Sequence, residues 1–394
     1  MKVAILYNTS WYVFLLRRNL IRDLVARGVE VTVISPTDAY TDRVKQLGVQ
    51  HIPISMRARS TNPLSELQTV WEISAALRRC APDFVFSYTI KCNLYAGLAR
   101  FAGARFRQVA NISGLGEGFD REGLLNRVVK ALYRVSLCSA HRIFFQNQED
   151  LDLCLKHSLV PEAVCERIPG SGVDLSFFSP GKARKNGEIE STQKPIFLMF
   201  GRLLPKKGFY AFLEAAKAIR AHHGETARFW VLGSPDLNRP DSVALHAALR
   251  MADQDGIIEL LPPTDDVLPL LRQARAVVLP STYNEGVPRS LLEALACGKP
   301  IITTDWKGCR ETVIDGDNGY LVPPLDQEAL ELAIDRILTA HPDEIDRMEV
   351  ASRALAQSRF DERLVVERYL ACLELPDEVG GQPVLQDEHL SHAV

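Results

Sequence analysis

The chain of 394 residues predicts two α/β domains in tandem, each a parallel sheet covered by helices on both faces. Three observations carry this. Short continuous apolar runs alternate with stretches of helical spacing, the pattern of buried parallel strands and their crossover helices. The composition shifts at 175–195, LSFFSPGKARKNGEIESTQKP, which is rich in Pro, Gly, Lys and Ser and reads as a linker. The alternation then begins again. With 46% apolar and 24% charged side chains, either half has the material for a full core.

In order, VAILY (3–7) is a short apolar run of buried-strand type. Residues 14–27 have helical spacing and stop at Gly28, and VEVTVI (29–34) is the next strand. A helix candidate at 40–47, the strand VQHIPI and a long helix at 64–79 follow. DFVFSY (83–88), RFRQVANI (105–112) and HRIFF (141–145) continue the strands. After the linker come PIFLMF (195–200), ARFWVL (227–232), IIELL (257–261), AVVLP (276–280) and PIITT (300–304), with helices between. Residues 361–374 form a closing helix, and the segment from Pro376 is polar with a Gly-Gly pair, a tail expected to be disordered. The expected division is 1–174, a linker at 175–194, a second domain at 195–358, a closing helix at 359–375 packing back on the first domain, and a tail at 376–394.

The net charge of −3 conceals an asymmetry: residues 1–165 hold 21 Lys and Arg against 14 Asp and Glu, and the remainder holds 25 against 35. A basic first half points to an anionic surface or substrate, with scattered solvated charge as the competing reading. The eight cysteines form no C-x-x-C pair and have no metal-ligand spacing with His, so they read as reduced thiols of a cytosolic chain. The N-terminus, MKVAILYNTS, meets polar residues at once, unlike a signal segment. No apolar run approaches the ~18 residues of a spanning helix.

The stretch EGVPRSLLEA (285–294) carries the chemistry. It follows the strand AVVLP, so its loop lies at the carboxyl end of a parallel strand, where open α/β sheets bind ligands. Pro288 suits the first helical position, and Gly298 and Pro300 stop the helix. The helix start offers unpaired N–H groups to an anion such as a phosphate, and Gly286 lets the backbone come close. Carboxylates only accept hydrogen bonds, so Glu285 and Glu293 suit sugar and ribose hydroxyls. The spacing alone leaves open that Glu285 is a solvated loop acid and Glu293 an ordinary helix-surface acid. GRLLPKKGF (201–209) follows PIFLMF in the same way: Gly201 permits a turn, and Arg202 and Lys207 are placed to meet a diphosphate, with Lys206 a solvated neighbour.

Glu-Gly-x-Pro…Glu-Ala, ending in Ala-x-Gly-x-Pro, resembles the sugar-donor signature of the family 4 retaining glycosyltransferases. The resemblance implies the GT-B fold, two Rossmann-like domains with a ligand cleft between them. It implies that Glu285 contacts the transferred sugar and Glu293 the ribose, with Gly201, Gly286, Val287 and Pro288 around the nucleotide sugar. GRLLPKKGF is similar to the family's Gly-Arg…Lys-Gly element, so Arg202 and Lys207 are expected to stabilise the departing diphosphate. Ser171-Gly172-Val173-Asp174 stands where Asn-Gly-Val-Asp is usual, and LLPPTDD (260–266) departs from the commoner Gly-containing turn near the base. PTDAYTDRVKQLG (36–48), RARSTNP (57–63), TIKCNLYAG (89–97) and NISGLGEGF (111–119) resemble segments of bacterial N-acetylhexosaminyl transferases that extend a sugar on undecaprenyl diphosphate. Lys91, Asn93, Gly114 and Gly116 are the acceptor or cleft candidates. Related transferases carry a His near NISGLG; none stands here, and no catalytic His is assigned.

Other signals are read as structural. Asp150-Leu151-Asp152 falls in a helix pattern and Asp315-Gly316-Asp317 in a turn, so neither D-x-D is taken as a metal site. Gly114-Leu115-Gly116 lacks the third Gly of a dinucleotide fingerprint. No basic helix or aromatic platform points to nucleic acid. WYVFLLRR (11–18), with Arg57, Arg59, Arg100, Arg105 and Arg107, fits contact with an anionic membrane surface; a buried first helix with Arg17 and Arg18 on its rim fits the same residues.

The expected activity is retaining transfer of a sugar, with a leaning to UDP-linked N-acetylhexosamine or hexose, onto a polyprenyl-diphosphate-linked glycan, without a metal or other cofactor. The expected location is cytoplasmic, peripheral on the inner face of the membrane. The alternatives are a nucleotide-sugar 2-epimerase of the same fold and a non-catalytic glycan-assembly partner.

Overall fold

A computed structural model describes residues 1–56, 62–115, 124–181, 194–264 and 266–374. Gly116, Arg57, Arg59, most of the linker and the tail lie outside the described residues. In chain order the elements are β1 (Lys2–Leu6), α1 (Ser10–Ala26), β2 (Glu30–Ser35), α2 (Thr41–Lys45), β3 (Gln50–Pro53), α3 (Pro63–Cys80), β4 (Phe84–Tyr88), α4 (Ile90–Phe101), β5 (Arg107–Ile112), α5 (Leu124–Leu137), β6 (Arg142–Phe145), α6 (Gln148–Lys156) and β7 (Cys165–Arg167). They continue with β8 (Ile196–Phe200), α7 (Phe209–His223), β9 (Arg228–Leu232), α8 (Pro240–Gln254), β10 (Glu259–Leu261), α9 (Leu268–Gln273), β11 (Ala276–Leu279), α10 (Arg289–Ala296), β12 (Ile301–Thr304), β13 (Gly319–Val322), α11 (Gln327–Thr339), α12 (Pro342–Leu355) and α13 (Glu362–Ala371).

Two compact units result. Among the described residues, the first comprises Met1–Ser171, Asn284–Gly286 and the segment 363–374; the second comprises Gly172–Tyr283 and Val287–Glu362.

Unit 1 is a parallel seven-stranded sheet in the order β3-β2-β1-β4-β5-β6-β7. Val3 pairs with Phe84 and with Val31, so β1 is an interior strand, and the direction of winding reverses between β1 and β4. Every residue of β4, FVFSY, is buried, as expected for a strand covered on both faces. One face packs Ile73, Leu77, Tyr95 and Tyr133 from α3, α4 and α5. The other packs Phe14, Ile21 and Leu24 of α1 with Val365 and Tyr369 of α13, whose hydroxyl accepts from Asn111 Nδ2 (2.9 Å). Helix starts are marked by local chemistry: Thr9 accepts from Tyr12 N, Asn62 from Leu64 N with Pro63 next, and Asn147 from Asp150 N.

The structure corrects the reading of WYVFLLRR as a membrane face. Arg17 and Arg18 are buried in unit 1, and the Arg17 guanidinium lies 4.3 Å from the centre of the Tyr88 ring. A cation held on a buried aromatic face is not available to lipid headgroups.

Unit 2 is a parallel six-stranded sheet, β10-β9-β8-β11-β12-β13, with one contiguous core. The strand β8, IFLMF, is buried throughout. The edge strand β13 was not anticipated; it is four residues long and starts on a glycine, too short to show alternation. Gly319 is required there: at φ +150° a side-chain carbon would sit 1.9 Å from the Ile301 carbonyl oxygen. Pro288 is also corrected by one position. It caps α10 with extended backbone (φ −59°, ψ 124°), and its carbonyl accepts from Leu291 N (3.1 Å), so the first helical residue is Arg289. Gly298, at φ +68°, ends the turn after the helix.

Candidate functional site

In unit 2 the strands wind outward from β8 in one direction and from β11 in the other, which makes the carboxyl ends of β8 and β11 the topological switch point. Two loops meet there. The first leaves β8 through Gly201, at φ +141°, turns through Pro205–Lys207 and enters α7 at Gly208. Gly208 is at φ +91°, and a side-chain carbon on it would lie 2.3 Å from the Pro280 carbonyl oxygen, so only glycine lets this loop reach the end of β11. The second loop answers with Thr282 N donating to the Lys206 carbonyl (2.8 Å).

This juncture brings Arg202 and Lys207 together on one aromatic side chain. The Arg202 guanidinium lies 5.6 Å and the Lys207 ammonium 5.9 Å from the centre of the Tyr283 ring. Lys207 is buried while Arg202 and Lys206 are exposed. Two cations within contact distance of one tyrosine ring concentrate positive charge at the switch point. Tyr283 was given no role by sequence, because a loop tyrosine carries no signal of its own.

Glu293, in the second turn of α10, is buried and fixed: Arg289 Nε donates to its Oε1 (2.8 Å), and Arg289 Nη1 donates to the Gly172 carbonyl (2.7 Å). Arg289, at helical spacing from Glu293, is a positioning residue that the sequence reading passed over. Val287 and Pro288 are buried just before α10, whose first-turn N–H groups open toward the end of β11.

Glu285 and Gly286 belong by their contacts to unit 1. Gly286 N donates to the Ser113 carbonyl (2.8 Å), and Asn147 Nδ2 donates to the Glu285 carbonyl (3.3 Å). A side-chain carbon on Gly286 would meet Gln146, with its Oε1 only 2.2 Å away. Gly114 follows β5 at φ +121° and lies against the Glu285 backbone. Of the remaining candidates, Lys91 pairs with Glu66 (2.8 Å). Asn93 is fully buried and donates to the Asn111 carbonyl (2.8 Å), tying α4 to β5, an architectural task.

Asp150 also has structural work: its Oδ2 accepts from Leu115 N (3.2 Å) and from Asn147 Nδ2 (3.1 Å). Asp315 Oδ1 accepts from Leu321 N (2.9 Å). Among the described residues no three His, Cys, Asp or Glu side chains gather as a metal site. A cavity of about 330 Å³ in unit 2 is walled by Pro205, Gly208, Pro280 and Thr282, but Arg202, Lys207 and Glu293 do not line it.

Comparison with known proteins places this geometry in a family. Residues 194–340 match the family described as "Glycosyl transferases group 1", and residues 17–171 match the "Glycosyl transferase 4-like domain". A relative from Campylobacter jejuni, N,N'-diacetylbacillosaminyl-diphospho-undecaprenol alpha-1,3-N-acetylgalactosaminyltransferase, is 30% identical over 384 residues, covering 94% of this chain and 97% of the relative. The chain belongs to the family 4 glycosyltransferases. Another relative of this glycosyltransferase, UDP-Gal:alpha-D-GlcNAc-diphosphoundecaprenol alpha-1,3-galactosyltransferase from Escherichia coli, is 25% identical and covers 76% of each chain. Among solved structures, the Anabaena protein HepE in complex with UDP and glucose superposes with a TM-score of 0.76 at 19% identity, over 95% of this chain and 99% of that one. Sucrose-phosphate synthase from Thermosynechococcus elongatus gives 0.76 at 18% identity, over 95% and 98%. The glycosyltransferase therefore has the GT-B fold. These relatives give no support to the epimerase alternative.

Proposed function

We propose that this glycosyltransferase moves a sugar, N-acetylhexosamine or hexose, from a UDP-sugar onto a polyprenyl-diphosphate-linked glycan in the assembly of a bacterial surface polysaccharide or glycoprotein glycan, with retention at the anomeric carbon. The pairing of Arg202 and Lys207 on Tyr283 at the switch point of unit 2 carries the reading. The two undecaprenyl-linked relatives support the acceptor class, and the neighbour crystallised with UDP and glucose supports the nucleotide.

The chemistry follows from charge. As the bond from the anomeric carbon to the β-phosphate oxygen breaks, its electron pair stays on that oxygen. Arg202 and Lys207 are the groups proposed to meet the charge that appears there, and fixed cations aimed at developing charge are worth roughly 3–4 kcal/mol of barrier. The acceptor hydroxyl forms the new bond on the same face, and its proton passes to the departing phosphate oxygen, so no side-chain base is required. Glu293, held by Arg289, accepts from the ribose hydroxyls, and Glu285 accepts from the transferred sugar. Gly201, Gly286, Val287 and Pro288 shape the backbone around the nucleotide sugar. No metal takes part in this scheme, and the protein works peripherally on the inner face of the cytoplasmic membrane.

A thermal-shift screen of UDP- and GDP-sugars, followed by transfer to a synthetic polyprenyl-diphosphate sugar with and without chelator, tests the proposal. Stabilisation by a UDP-sugar and chelator-resistant transfer are expected. Release of an epimerised nucleotide sugar, or neither stabilisation nor transfer, overturns it.

A further inference from the structure

The outer face of α3 is built the wrong way round for a helix meeting water. Its inner face, with Thr69, Ile73, Ala76 and Leu77, is buried in unit 1. On the opposite side Leu64, Leu67 and Trp71 are 77%, 66% and 66% exposed. Their i, i+3, i+7 spacing lines them up along one side of the helix. Two leucines and a tryptophan exposed in line on one helix mark a candidate interaction surface.

The charge around it indicates what meets it. Helices α3, α4 and α5 form one layer over the sheet: Glu66 pairs with Lys91 and Tyr95 at one end of α3 and α4, and Arg78 Nη1 donates to the Ala102 carbonyl (3.0 Å) at the other. Together the three helices carry seven Lys and Arg and only two Glu. Both glutamates are occupied, Glu66 as above and Glu72 by Ser55 N and Gln68 Nε2. On α5 the exposed side alternates cations and apolar groups, Arg127 and Arg134 with Val128 and Val135. A helix layer with an excess of cations and exposed leucine and tryptophan matches an anionic lipid interface, where apolar side chains enter the headgroup boundary and cations meet phosphates.

We infer that the Leu64–Leu67–Trp71 stripe of α3 is the surface by which this enzyme docks on an anionic membrane, with the exposed arginines of α3 and α5 (Arg78, Arg79, Arg127 and Arg134) meeting the headgroups. The inference rests on the lipid-linked acceptor proposed above and adds which face meets the bilayer. The position is apt: the stripe occupies the first half of α3, at the same end of the unit 1 sheet as Lys91 and Gly114, where loops follow the strands. An acceptor anchored by its lipid then reaches that end without leaving the membrane.

The test uses the full chain and vesicles of phosphatidylcholine with or without phosphatidylglycerol. The expected result is flotation with the anionic vesicles only, falling with salt, and weakened by about tenfold or more in the L64S/L67S/W71S variant. A blue shift of tryptophan fluorescence on binding should vanish in Trp71→Phe, although Trp11, Trp230 and Trp306 remain. On a short-chain, water-soluble acceptor the triple variant should keep wild-type turnover, and on a vesicle-embedded acceptor it should lose about tenfold or more. Equal flotation of variant and wild type overturns the inference, as does absence of flotation. So does a wild-type dimer that the triple substitution splits, because the stripe would then be covered by a second copy. Failure of transfer on both acceptors with flotation intact would instead count against the proposed function alone.

Discussion

Gly114 and Glu285 approach so closely that a side-chain carbon on Gly114 would lie 2.8 Å from the Glu285 Cα. They are 171 positions apart in sequence, and no local pattern announces the contact. The glycine is also at φ +121°, a backbone region that side chains resist. The Glu285 segment is thus seated by the absence of a side chain at 114, with Ser113 and Asn147 holding its backbone.

Gly114→Ala should therefore displace the Glu285 backbone. Transfer is expected to fall by about a hundredfold, the scale of an ångström-sized misplacement of a reacting group, while the melting temperature changes little beyond the strain at 114. Steady-state kinetics beside calorimetry check this. Wild-type turnover in the variant would show that Glu285 is not positioned by this contact.

In the proposed scheme Lys207 meets the charge on the leaving diphosphate, so Lys207→Ala should lower kcat by about 10²- to 10³-fold. Tyr283→Phe keeps the ring that both cations share and should be nearly silent. Tyr283→Ala removes it and should cost about threefold to thirtyfold, the range of a cation–π contact. Equal effects of the two Tyr283 substitutions would refute the role of the ring.

Arg289→Ala leaves the buried Glu293 carboxylate without the guanidinium that holds it. A loss of about 1–3 kcal/mol in stability is expected, together with a raised KM for the nucleotide sugar. Adding Glu293→Gln should restore part of the stability but not the KM. Denaturant unfolding of the two variants, read beside their kinetics, distinguishes packing from ligand contact.

None of the eight cysteines is in a disulfide, and only Cys138 is exposed. Burial pushes the Cys92 and Cys297 thiols up to about 12, with the Glu293 carboxylate adding to the effect at Cys297. A thiol reagent at neutral pH should thus modify Cys138 first, and Cys138→Ser should abolish the fast phase. The folded pKa values lie above the ordinary 9.0, so the folded state keeps protons that the unfolded chain releases. That contribution is complete below about pH 9 and is lost as pH rises toward about 12. Unfolding followed across this range should show stability declining, and less steeply in a Cys92→Ala, Cys297→Ala background.

Most elements of this chain were legible because their signals are local. A run such as IFLMF is apolar at every position, which only a strand covered on both faces requires, and the helical spacing of 14–27 stops at Gly28, which sits at φ +73°. The spacing of Glu285, Gly286 and Glu293, and of Arg202 and Lys207, was legible for the same reason: each set lies in one loop and the helix after it. β13 escaped notice because four residues starting on glycine offer no period to detect.

Which side chains meet was decided by tertiary structure alone. Arg17 reads as a rim cation beside an apolar run, yet Tyr88, 71 positions away, takes it into the core. Tyr283 joins Arg202 and Lys207 only because the strand order puts β8 beside β11, and Leu64, Leu67 and Trp71 face outward only because α3 turns its other side to the sheet. Hydrophobic period and turn chemistry act over a few residues, so sequence determines what each segment becomes. Contacts between distant segments arise when the sheets assemble, and those contacts determine what each side chain can do.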